Sequence, residues 1–75
     1  MKSVVEVLAK ALVENPDQVT VEEDASERTI HLKLTVAQED VGKVIGKQGR
    51  IANAMRTIIK AAAVKDGRRV IMDIE

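Results

Sequence analysis

The sequence predicts an α+β fold of order α-β-β-α-α-β, with a three-stranded sheet packed against three helices. Three observations carry this. Apolar residues recur at helical spacing in three stretches, they alternate with polar residues in between and again at the end, and Gly and Pro mark the changes of period. The chain has 75 residues, of which 45% are apolar, enough for one compact core in one domain spanning residues 1–75. A body this small buries a modest share of its unfolded surface, so an oligomer or a bound partner is a natural source of further stability.

The elements follow in order. Val4, Val5, Leu8, Ala9, Leu12 and Val13 fall on one helical face. Pro16 lacks an N–H and disfavours helical geometry at Asn15, so this helix is expected to end near Glu14. Val19 and Val21 then alternate with polar residues, Asp24 to Glu27 supply turn formers, and Ile30, Leu32, Leu34 and Val36 alternate with Thr29, His31, Lys33 and Thr35, the pattern of a hairpin with one buried face. Helical spacing returns with Val41, Val44 and Ile45, stops at Gly46, and resumes with Ile51, Ala54, Met55, Ile58, Ile59 and Ala62. Asp66-Gly67 reads as a turn, and Val70, Met72 and Ile74 as a last strand whose place in the sheet periodicity does not fix.

Composition excludes several functions. No Phe, Trp, Tyr or Cys is present, which removes disulfides, thiolate nucleophiles, cysteine-ligated zinc and aromatic platforms for stacking bases. No stretch has the length of a membrane span or the pattern of a signal peptide, and a cytoplasmic location is expected. His31, the single histidine, falls on the polar side of a strand beside Lys33, where a surface role is expected. Glu22-Glu23-Asp24 and Glu39-Asp40 lie beside turns and read as solvated carboxylates. Met1 reads as the initiator, Met55 and Met72 as core fillers. Neither catalysis nor a cofactor or metal is expected.

The net charge of zero conceals an asymmetry. Residues 1–40 hold four basic and nine acidic side chains, a balance of −5, whereas residues 41–69 hold eight basic and one acidic, a balance of +7. Such a segment concentrates positive potential on one side of a small body. At its centre lies Gly46-Lys47-Gln48-Gly49, between two helices. Gly46 can close the shorter helix, and Gly49 leaves the first free N–H groups of the next helix open to an anion. Arg50, in the first turn of that helix, opposes the macrodipole and is easier to explain if a phosphate lies there. Lys43 and Lys47 are placed to flank a sugar-phosphate chain, and Gly42 offers bare backbone for close approach. Asn53, Arg56 and Lys60 fall opposite the apolar stripe and read as solvent-facing.

Val44-Ile45-Gly46-Lys47-Gln48-Gly49-Arg50-Ile51 resembles the I-G-x-x-G core of the KH domain, and the element order looks like the bacterial type II arrangement. A chain made of little else is similar to the small stand-alone KH proteins of the KhpA type. The resemblance implies sequence-tolerant binding of single-stranded RNA, with phosphates along Gly46 to Gly49 and bases in an apolar groove between the helices and the sheet. Lys43 and Arg50 would give electrostatic support, Ile45 and Ile51 would serve core and groove edge, and Arg68 and Arg69 are secondary candidates. It further implies a homodimer or a pairing with a larger KhpB-type protein, RNA chaperone activity, and a link to cell elongation and wall synthesis. Two rivals remain beside it. One is a helix-turn-helix DNA binder, against which the hairpin and last strand speak; the other is a module that works mainly through protein contacts.

Overall fold

The computed structural model describes all residues from Met1 to Glu75. Helix α1 (Lys2–Leu12) leads through a short turn at Pro16–Gln18 into strand β1 (Thr20–Ala25) and strand β2 (Thr29–Thr35). A second short turn at Gln38–Asp40 opens helix α2 (Val41–Ile45), one further turn at Lys47–Gly49 precedes helix α3 (Arg50–Asp66), and strand β3 (Arg69–Ile74) closes the chain. The expected α-β-β-α-α-β order and fold class hold.

Helix α1 stops at Leu12, two residues before the expected end, and Val13 is already extended. The reason lies in the next two amides. The N–H groups of Glu14 and Asn15 donate to the Asp40 carboxylate, 26 and 25 residues away in sequence, so they do not continue the helical ladder. The face of α1 is narrower than its periodicity suggests: Val5 and Ala9 are buried, while Val4 and Leu12 are exposed.

The sheet has the order β1-β2-β3. β1 and β2 pair antiparallel, with Val21 opposite Leu34. β2 and β3 pair parallel, with Ile30, Leu32 and Leu34 beside Val70, Met72 and Ile74. Parallel neighbours need a crossover connection, which α2 and α3 provide. Ser26 tightens the hairpin, its N–H donating to the Thr29 carbonyl at 2.8 Å and its hydroxyl accepting from the Thr29 N–H at 3.2 Å.

All three helices cover one sheet face. Leu32, Leu34, Val5, Val44 and Ile59 lie at its centre, with Met55 and Met72 filling between them. On α3 the buried residues are Ala52, Met55, Ile59 and Ala63. The helix is therefore rotated from the expected stripe: Ala54, Ile58 and Ala62 face outward. Several apolar residues of α3 fit a 3.6-residue period, and contact with the sheet selects among them.

Asp40 corrects a further expectation. It is not solvated but fully buried, while the Glu22-Glu23-Asp24 run is exposed as expected.

Candidate nucleic-acid interface

Helix α2 ends because Gly46 takes φ +77° and ψ 173°, with its N–H donating to the Gly42 carbonyl. The turn that follows holds Gln48 at φ 58° and Gly49 at φ +74°. Positive φ is costly for most L-residues, so two of the three sites are glycine and the third is a single tolerated exception. Gly46 has a second reason to lack a side chain. A Cβ built there would stand 2.6 Å from Ile51 Cγ1 and 2.9 Å from Ile51 Cβ and Cδ1. Ile51 is thus packed onto the bare face of Gly46 and locks the turn to the first turn of α3.

Gly49 is the N-terminal cap of α3, and no side chain caps that end. The first N–H groups of α3 therefore lack side-chain partners in a setting of exposed Lys47 and Arg50, a combination suited to an anion. Arg50 reaches only Gln48 Oε1, at 3.4 Å. Nothing lies within 4 Å of a Cβ built on Gly42, so its surface is open.

A groove runs from this turn between α3 and β3. Its end nearest the turn, about 470 Å³, is lined by Ile45, Gly49, Ala52, Arg56, Asp73, Ile74 and Glu75. Its far end, about 480 Å³, has Ile59, Ala63, Val70 and Met72 against Arg56, Lys60, Arg68 and Arg69. The groove is not uniformly apolar as expected. An apolar floor runs beneath a basic rim, with two carboxylates near the turn. Asp73 is engaged by His31 Nε2 at 2.7 Å and Glu75 by Lys33 at 3.4 Å.

Arg56 is the more deeply placed of two residues, with Lys60, that the sequence pattern puts on the solvent side and that border the groove instead. It lines both ends of the groove, half-buried, with Nη2 donating to the Met72 carbonyl at 3.3 Å and Nη1 to Asn53 Oδ1 at 3.4 Å. The signal was available: Arg56 follows Met55 directly and sits four residues after Ala52, on the flank of the stripe that α3 actually buries. Arg68 and Arg69 do reach the groove.

Lys43 is placed differently from the other candidates. Its Nζ lies 2.8 Å from Glu14 Oε1 and 3.8 Å from Asp40 Oδ1. The Glu14 hydrogen bond raises the Lys43 ammonium above its ordinary pKa, against a smaller opposing effect of desolvation. At Asp40, burial alone would push the carboxyl up. Hydrogen bonds from the Asn15 side chain and from the Glu14 and Asn15 N–H groups, with Lys43 nearby, instead hold it below the ordinary value.

A three-helix, three-stranded layout with a Gly-x-x-Gly turn between its second and third helices defines a KH domain. The comparison with known families bears this out: the KhpA/KhpB KH domain matches residues 2–74, and the chain belongs to that family. Similar proteins include "RNA-binding protein KhpA" of Clostridium acetobutylicum, 60% identical over 99% of both chains, and its namesake in Caldanaerobacter subterraneus, 57% identical over 99% of both. The protein of the same name in Aquifex aeolicus is 50% identical over 99% of this chain and 94% of its own. No solved structure matches. No helix is long and apolar enough to cross a membrane.

Proposed function

We propose that the protein is a non-enzymatic KH domain that binds single-stranded RNA with low sequence specificity. The turn Gly46-Lys47-Gln48-Gly49 seats the sugar-phosphate backbone, Arg50 adds positive charge, and Gly42 and Ile45 border the path. Bases enter the groove between α3 and β3 under Arg56, Arg68 and Arg69. The observation that carries this reading is the uncapped start of α3 beside two positive-φ glycines, opening onto a groove with a basic rim. The family's Gly-x-x-Gly loop clamps the backbone of about four nucleotides, and relatives with at least half of their residues identical are named RNA-binding proteins.

A helix-turn-helix reading is disfavoured because a three-stranded sheet supplies one layer of the core, where that motif is built on a bundle of helices. In the cell the domain acts in the cytoplasm as an RNA chaperone and post-transcriptional regulator, as a homodimer or with a KhpB-type partner, in processes tied to cell elongation and wall synthesis. The partner part of this reading is supported by Val4, Leu12 and Ile58, large apolar residues left exposed on α1 and α3.

The test is Lys47→Asp combined with Gln48→Asp. Both side chains are exposed, and Asp is among the residues that tolerate the left-handed conformation at position 48. The variant is expected to keep the wild-type Tm and lose binding to a labelled single-stranded RNA. Retained affinity in the folded variant removes the clamp assignment. Competition with duplex DNA at fixed salt addresses the other nucleic-acid reading, which a preference for duplex would restore.

A further inference from the structure

Helix α2 presents the turn, yet little within it holds it in place. It has five residues, no side-chain N-terminal cap, and one fully buried side chain, Val44. A helix of this length has no stability of its own, so its seat must come from tertiary contacts. The residue immediately before it, Asp40, is the one charged side chain buried in the molecule. Its Oδ1 accepts from the Glu14 N–H at 3.2 Å, and its Oδ2 accepts from the Asn15 N–H at 3.1 Å and from Asn15 Nδ2 at 3.0 Å. Asn15 Nδ2 also donates to Glu39 Oε1 at 2.6 Å. Lys43 closes the set by bridging Glu14 and Asp40. A buried carboxylate persists only when paired and hydrogen-bonded in this way.

Direction matters as much as distance. At about 100° per residue, Lys43 and Ile45 lie on opposite flanks of the buried Val44. Ile45 borders the groove, whereas the Lys43 ammonium is turned toward the end of α1. A strand whose bases occupy the groove and the Lys43 ammonium therefore lie on different sides of α2.

We propose that Asp40, Lys43 and Glu14 form a positioning unit that seats α2, and with it the Gly46–Gly49 turn, against the end of α1, so that Lys43 serves RNA binding through this unit without touching phosphate. The inference rests on the RNA-clamp reading above.

The two possible roles of Lys43 predict opposite signs for its partner. Affinity for a labelled single-stranded RNA is measured across salt concentrations for Glu14→Gln and for Lys43→Gln, with amide exchange followed at Gly46 and Gly49. A positioning unit predicts that both substitutions weaken binding by roughly two- to fivefold, the range of an exposed ion pair. It also predicts an unchanged salt slope and faster exchange at the two glycines. A phosphate ligand predicts instead that Lys43→Gln lowers the slope by about 0.7 and that Glu14→Gln tightens binding by freeing the ammonium; this pattern overturns the proposal. So does wild-type affinity and exchange in both single variants. The Lys47→Asp, Gln48→Asp variant separates the two readings. If it binds RNA normally the clamp itself fails, and if it loses RNA while the Glu14 and Lys43 variants behave as a ligand pair, only the positioning unit fails.

Discussion

Gly46 and Gly49 both require positive φ, but they differ in what else forbids a side chain. At Gly49 the nearest atom to an added Cβ is Asn53 Nδ2, at 3.8 Å, an ordinary contact. Gly49→Ala is therefore expected to cost only the backbone strain, about 1–2 kcal/mol. At Gly46 three Ile51 carbons stand inside 3.0 Å, and overpacking adds about 1–3 kcal/mol. Thermal unfolding should place Gly46→Ala below Gly49→Ala, which in turn melts below wild type. Equal Tm values for the two variants would show that Ile51 yields at no cost. The glycines were legible in the sequence because they interrupt a helical period. Asp40 was not legible: its role depends on two amides 25 and 26 residues away, which no local pattern displays.

At the scale of elements, alternation and helical spacing identified every helix and strand, and the pattern failed where more than one solution fitted. On α3 the sequence supports a stripe through Ala54, Ile58 and Ala62 as well as one through Ala52, Ile59 and Ala63. The sheet beneath chose the second. Likewise, strand alternation is the same for parallel and antiparallel neighbours, so the pairing of β3 with β2 needed the three-dimensional crossover. The rotation of α3 separates two adjacent isoleucines sharply. Ile59 is 1% exposed and Ile58 49% exposed. Ile59→Ala is expected to cost about 2–5 kcal/mol, and Ile58→Ala about 1 kcal/mol or less because half its surface already meets water. Urea unfolding at low protein concentration checks both. A loss at Ile58 that approaches the loss at Ile59 and grows with protein concentration would mean that a second copy covers this face.

Across the whole molecule, zero net charge and an anionic ligand are compatible because of where the sheet places each sign. The acidic run Glu22-Glu23-Asp24 lies on β1, Arg69 begins β3, and β2 stands between them. With neighbouring strands about 4.8 Å apart, the two edges are separated by about 10 Å, more than the screening length of about 8 Å at physiological salt. The acidic edge therefore does little to cancel the basic rim, while it opposes indiscriminate attraction at low salt, when the screening length grows. Each lysine or arginine that neutralises a phosphate of a single strand contributes about 0.7 to the slope of log affinity against log salt. Arg68→Gln with Arg69→Gln is accordingly expected to reduce that slope by up to about 1.4 without lowering Tm, because neither side chain belongs to the core cluster. Glu22→Gln with Glu23→Gln, on the remote edge, is expected to leave the slope near the wild-type value at physiological salt. An unchanged slope in the arginine variant would confine the RNA contact to the turn and exclude the far end of the groove. A slope that responds to the glutamates as strongly as to the arginines would show that the two edges act as one field and that the division of charge by strand has no bearing on binding.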